Sequence, residues 1–196
     1  MVVGYHLIWT AYGWWLPNDP RGSSSHEIRV ARIAELGELH HGRKAVQPRS
    51  PELRLFYDNA RLALKHELLS FSAEAVALIA EAFAATIEER NYTCYACAIM
   101  QDHVHLLIRR HRDQAEVMLA HLQAGSRERL IQSGARAANH PVWGGPGWKR
   151  FLNTRADIER VIAYIRNNPI VARLPEQTWR FVKPYDGWLP RPARET

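Results

Sequence analysis

A chain of 196 residues has room for one domain with a full hydrophobic core and too little for two to be expected. With 46% apolar and 23% charged residues it has the composition of a soluble globular protein, which excludes a disordered chain. Lys and Arg outnumber Asp and Glu by 26 to 20, for a net charge of +6, and seven Trp accompany seven Tyr. That balance suits a nucleic-acid partner through phosphate attraction and base stacking, and it equally describes a basic protein with a large aromatic core.

Tyr5 to Tyr12 is rich in aromatic and β-branched residues and stops at Gly13, which predicts a first, central strand. Trp14 to Gly22 sets turn formers against two tryptophans. From there to Pro51 the chain is basic, with Arg29, Arg32, Arg43, Lys44 and Arg49, and carries His26, His40 and His41 around a short helical pattern near residues 28–39. A connection of this length is either functional or a solvated insertion, and both readings stay open. Residues 53–70 are ambiguous between strand and helix.

Ser72 is a good N-cap, and Val76, Ile79, Phe83 and Ile87 recur at helical spacing towards Asn91. Tyr92 to Met100 has the character of a buried strand. After a break at Gln101-Asp102, His103 to Arg109 returns as its hairpin partner. The only cysteines, Cys94 and Cys97, have no second pair with which to complete a zinc site, and their i,i+3 spacing places them on opposite faces of a regular strand as buried small residues. Asp113 is expected to cap a helix running to about Ser133, with Leu119, Leu122 and Leu130 inward and Arg127, Arg129 and Arg136 outward. Pro141 to Leu152 reads as a glycine-rich turn followed by a short basic-aromatic strand. Thr154 and Asp157 have capping-box spacing before a helix with Ile158, Ile162 and Ile165 on one flank, which Pro169 is expected to end. Trp179, Phe181, Tyr185 and Trp188 predict a Trp/Pro-rich tail, residues 175–196, packed over the body.

The order strand, helix, strand, strand, helix, strand is that of an α+β ferredoxin-like sandwich with an antiparallel sheet, here followed by an extra C-terminal helix that bears Tyr164. The organisation expected is one domain over 1–196, with a long basic insertion at about 13–70. No charged-then-apolar leader, lipidation signal or run of eighteen apolar residues occurs, which points to the cytoplasm and to no membrane partner.

Two stretches carry chemistry. In a strand, His103 and His105 stand on one face, and two adjacent imidazoles can hold one divalent metal. On the last helix, Tyr164 and Asn168 are one turn apart. Tyrosine is a poor nucleophile at its ordinary pKa of about 10, so attack on a phosphodiester needs positioning and a metal that polarises the phosphate. An amide oxygen from Asn168 could complete a three-ligand set. Two imidazoles and an oxygen suit Zn²⁺ more obviously than Mg²⁺ or Mn²⁺, so ligand chemistry alone does not select the metal. Arg127, Arg129, Trp148, Lys149 and Arg150 are the candidate DNA contacts.

Met100-x-x-His103-x-His105, followed by Tyr164-Ile165-x-x-Asn168-Pro169, resembles the single-tyrosine HUH transposases of the IS200/IS605 type, most closely the REP-associated tyrosine transposases. Tyr5 to Thr10 and Trp148 to Phe151 resemble that family's first strand and the segment before its tyrosine helix, so the resemblance covers roughly residues 2–12 and 72–175. It implies His103, His105 and Asn168 as ligands of Mg²⁺ or Mn²⁺ and Tyr164 as the nucleophile. The implied reaction is cleavage of single-stranded DNA near hairpins, through a 5′-phosphotyrosine link and a free 3′-OH, with no nucleotide cofactor consumed. Gln101-Asp102 departs from the Pro-Asn of many relatives, and the insertion has no counterpart in the smallest members, which leaves the DNA target and the choice between monomer and homodimer open. Two rivals remain: a non-catalytic nucleic-acid binder on the same sandwich, and a metal hydrolase using water.

Overall fold

The computed structural model describes residues 1–190, the Pro146 side chain excepted, so residues 191–196 of the predicted tail lie outside the described residues. Four antiparallel strands, β1 (Gly4–Ala11), β2 (Cys94–Ile99), β3 (His103–Arg109) and β4 (Trp143–Leu152), form a sheet in the order β2-β3-β1-β4. Helices α3 (Ala73–Glu89) and α4 (Ala115–Gln132) connect β1 to β2 and β3 to β4, which is the expected ferredoxin-like arrangement. The first strand is central, paired with β3 on one side and β4 on the other, and only Ile8 and Thr10 along it are not fully buried. The insertion adds α1 (Ala31–Ala34) and α2 (Ser50–Ala63), which resolves the ambiguous stretch as helix over most of its length, and α5 (Arg155–Val171) is the extra C-terminal helix.

Alternation along the strands divides the core in two. Leu7, Trp9, Val104, Leu106 and Ile108 face α3 and α4 and pack with Ile79, Phe83, Met118 and Leu122. Ala96, Ala98 and Leu107 face the other way and meet Ile158, Val161 and Ile165 of α5. Helix α5 lies over β2 and β3. The β1–β4 half of that face carries His6, Ile8 and Thr10, with Arg150 directly opposite His6 and Trp148 opposite Ile8.

Local chemistry explains where α3 and α5 begin. Ser72 caps α3 by accepting from the Ala75 N–H, and Thr154 with Asp157 forms a complete capping box on α5. Asp113 does not cap α4: its carboxylate accepts from the Tyr92 hydroxyl at 2.8 Å, and the N-cap is Gln114, which makes no side-chain bond. Pro169 does not end α5 either. The helix runs on to Val171, because so near its last turn the missing N–H forfeits one bond and the proline ring is buried. Cys94 and Cys97 are buried as expected, yet they share one face. A bulge between Cys94 and Ala96 shifts the register, so Cys94 sits opposite Ile108 and Cys97 opposite Leu106.

β4 is longer than expected and contains the glycines, with its register to β1 broken between Ile8 and Thr10. Gly147 lies at φ +75, where a Cβ would come within 2.9 Å of the Ile8 carbonyl oxygen, so only glycine lets the strand resume beside β1. Trp179 and Phe181 pack against one core and Tyr185 and Trp188 against the other. The same segment also seals the β2 edge: the Gln177 amide accepts from the Ile99 N–H and donates to the Ile99 carbonyl, both at 2.8 Å, while the Lys183 N–H donates to the Cys94 carbonyl. No described helix is long and apolar enough to cross a membrane.

The insertion is anchored rather than loose. Asp19 is fully buried and accepts from the Arg21 backbone N–H at 2.8 Å, from its Nε at 3.0 Å and Nη2 at 2.8 Å, and from the Tyr57 hydroxyl of α2. The Trp14 indole donates to the Leu69 carbonyl at 2.7 Å. At Gly22 (φ +96) a Cβ would overlap the Gly42 carbonyl oxygen, so the two arms of the insertion touch through a glycine.

Candidate active site

His103 and His105 stand on the same face of β3, with ring centroids 4.8 Å apart and planes nearly perpendicular. Each ring is held through Nδ1. His103 Nδ1 donates to the Asp102 carboxylate at 2.6 Å, from the hairpin turn, and His105 Nδ1 lies 3.0 Å from His6 Nε2 on the neighbouring strand. Both Nε2 atoms are left without a protein partner among the described residues. Burial holds the His105 imidazole well below its ordinary range, with His103 and His6 adding to it, and burial with the Arg150 charge lowers His6 to about 4. The pair His6–His105 is therefore neutral at neutral pH. With the proton of their shared bond on His105 Nδ1, the His105 Nε2 lone pair is free to coordinate.

Helix α5 brings Tyr164 to this pair. Ile158, Val161 and Ile165 anchor one flank in the core, which turns Tyr164 and Asn168 towards the histidines. The phenol ring is half exposed, edge-on to His105 at 5.3 Å between centroids and to His6 at 6.0 Å. Asn168 donates its amide N–H to the Tyr164 carbonyl at 3.0 Å, which leaves its side-chain oxygen free. All four side chains line one cavity of about 560 Å³ and meet within a single chain.

The donors fit a divalent cation: two imidazoles with unengaged Nε2 atoms, a free amide oxygen lining the same cavity, and an Asp102 carboxylate orienting one ring from behind, as carboxylates do at many metal-binding histidines. Among the described residues no three His, Cys, Asp or Glu side chains are grouped as ligands, and the Asn168 amide oxygen lines the same cavity as the two imidazoles.

The predicted DNA contacts separate. Trp148 lines the cavity and Arg150 stands beside His6. Lys149 points through the sheet to Glu116 of α4 at 3.0 Å, Arg129 pairs with Glu81 of α3 at 2.7 Å, and Arg127 donates to the Ala138 carbonyl. These three belong to the opposite layer and are not brought to the histidines.

Sequence reasoning overlooked His6, although an imidazole alternating with apolar residues in a central strand was a visible signal. It also overlooked Trp15 and Arg21. The Trp15 ring stands edge-on to His103 at 5.2 Å, and the Arg21 guanidinium stacks 3.7 Å over it. Burial opposes the Arg21 charge, but the hydrogen bond to Asp19 and the surrounding negative groups outweigh it and raise its pKa. No local motif announces that a loop so far from β3 in sequence returns to it.

Among solved structures, the chain is similar to a REP-associated tyrosine transposase bound to a REP hairpin, at 8% identity and a TM-score of 0.44, over 87% of this chain and 68% of that one. It is also similar to a protein of Deinococcus radiodurans R1 provisionally described as a transposase, at 14% identity and a TM-score of 0.39, over 84% and 91%. No curated protein matches. The model of one family, described as transposase IS200 like, matches residues 63–168, a span that takes in β2, β3, both histidines, Tyr164 and Asn168. Because that match covers more than half of the 196 residues, the chain belongs to the IS200-like transposase family.

Proposed function

We propose that this transposase cleaves and rejoins single-stranded DNA at hairpin-associated sites, with Tyr164 as the nucleophile. The Tyr164 oxygen forms a bond to phosphorus as the bond from phosphorus to the 3′-oxygen breaks. The phenol gives up its proton, the departing oxygen takes one up as a free 3′-OH, and the 5′-phosphate stays on the tyrosine. Attack by that hydroxyl, or by another 3′-OH, reverses the step and rejoins the strand. His103, His105 and Asn168 are the residues that would hold a Mg²⁺ or Mn²⁺ ion, which would supply polarisation of the phosphate oxygens. Asp102 and His6 keep the two imidazoles oriented with Nε2 outward, and α5 holds the phenol at the cavity wall.

The observation that carries this reading is the cavity shared by the histidine pair, Tyr164 and Asn168. The test is incubation with single-stranded hairpin oligonucleotides and Mn²⁺, followed by a search for a denaturant-stable protein–DNA adduct. Tyr164→Phe should bind DNA as before and form no adduct. Undiminished cleavage by that variant would reassign the nucleophile to water.

A further inference from the structure

The cavity at the histidine pair has a second wall that the family match does not include. The match begins at residue 63, whereas Trp15, Arg21, Ser23 to Ser25 and Arg43, all from the insertion, face the histidines and Tyr164 across the cavity. We propose that this wall is a nucleotide subsite, which binds the phosphate next to the one attacked by Tyr164. The proposal rests on the single-stranded DNA reading of the site and extends it to residues outside the matched segment.

Arg21 is built as a fixed donor. Its Nε and Nη2 are spent on the buried Asp19 and on the Tyr57 hydroxyl, and its plane is stacked on Trp15, so the guanidinium has no rotational freedom to lose on binding. Its Nη1 has no protein partner among the described residues, which leaves two N–H donors on a side chain that lines the cavity. A clasp that only held the insertion to α2 would not need to present a guanidinium to the cavity that the candidate nucleophile also lines. Arg43, exposed on the same rim, adds a positive charge without an ion-pair partner among the described residues. Across the cavity Trp148 is 44% exposed on β4 and offers a face on which an unpaired base can stack. The volume of about 560 Å³ falls within the small-ligand range of roughly 300–1,000 Å³.

The experiment measures binding of a fluorescent single-stranded DNA pool of randomised sequence, in a Tyr164→Phe background so that nothing is cleaved. The informative variant is the double replacement Asp19→Asn with Arg21→Gln, which removes both partners of the buried ion pair and leaves net charge unchanged. Any change in affinity then reports the lost guanidinium rather than altered long-range attraction. We expect affinity to fall about tenfold or more, the loss typical of a charge-assisted hydrogen bond to phosphate. Tyr57→Phe, which loosens the clasp and keeps the guanidinium, should lower the melting temperature and change DNA affinity little. Arg43→Gln, an exposed change that does not threaten folding, should flatten the dependence of log affinity on log salt by about 0.7.

The subsite is overturned if the double variant, folded by circular dichroism, binds DNA like its parent. Should that variant not fold, an unchanged salt slope for Arg43→Gln overturns it instead. The tyrosine reading fails separately. A chain with Tyr164 intact that binds DNA yet forms no adduct refutes the nucleophile and leaves the subsite standing, whereas adduct formation with affinity indifferent to Arg21 and Arg43 does the reverse.

Discussion

On one face of the sheet α3 and α4 close over Trp9, Phe83, Leu106 and Leu122, leaving these side chains essentially without access to solvent. On the other face α5 lies mainly over β2 and β3, and the edge of that cover is where His6, His103, His105 and Tyr164 collect. The same strands supply both faces, one residue out of phase. Val104 and Leu106 are core because His103 and His105 are not, and the stability of the closed face is what permits three imidazoles on the partly open one. Polar groups gathered at such an edge are satisfied by one another and by Asp102 rather than by a full helical layer.

The comparison breaks most sharply at the histidines themselves. His103→Ala or His105→Ala should remove adduct formation in Mg²⁺ or Mn²⁺ entirely; the melting temperature should stay near that of the parent for the partly exposed His103 and fall for the buried His105, whose loss also leaves His6 unpaired. Asn168→Ala should retain some activity, recoverable at high metal concentration, because a single amide donor is the weakest of the three. An adduct yield unaffected by either histidine would remove the basis for a metal site on this face.

The closed face answers in the opposite currency. Phe83→Ala leaves a cavity beside Trp9 and should destabilise the fold by about 3–5 kcal/mol, read by denaturant titration. Protein that remains folded should still form the adduct at close to the parental rate per molecule. A comparable rate loss in the folded fraction would mean that the two faces are coupled through the sheet.

A smaller effect is expected at His6, which sharpens the boundary between holding a ring and binding through it. His6→Ala leaves His105 Nδ1 without its partner, so Mn²⁺ affinity measured by calorimetry should fall about 10–100-fold, the usual cost of losing an orienting group behind a ligand. If His6 merely filled space, His6→Ala would lower the melting temperature and leave the Mn²⁺ titration unaltered.

How much of this was legible follows the range of the interactions. The histidine pair, the Tyr164–Asn168 turn, the capping box and the hairpin are local patterns of period 2 or 3.6, and each is found where those periods place it. The shared face of Cys94 and Cys97 was not legible, because a one-residue bulge inverts the alternation without any glycine or proline to mark it. The return of Trp15 and Arg21 to the site depends on a buried carboxylate, Asp19, whose partner Tyr57 lies 38 residues away. Asp113 shows the converse: a residue suited to capping bonds instead to Tyr92, a tertiary partner that no local pattern reveals.

The smallest expected effect is also the most specific, because it compares two neighbours in sequence. Lys149 and Arg150 carry the same charge, yet strand alternation sends Arg150 to the histidine face opposite His6 and Lys149 to Glu116 on α4. Composition cannot distinguish them, and any long-range attraction of DNA by net charge treats Lys149→Gln and Arg150→Gln alike. Counterion release does distinguish them, since only a side chain in contact with phosphate contributes about 0.7 to the salt slope for a single strand. Arg150→Gln should therefore flatten the slope by about that amount, while Lys149→Gln should leave it as it is and cost at most about 1 kcal/mol of stability through the half-exposed ion pair. Equal slopes for the two variants would show that DNA is drawn to the protein by its overall charge, and that the open face does not select where the strand lies.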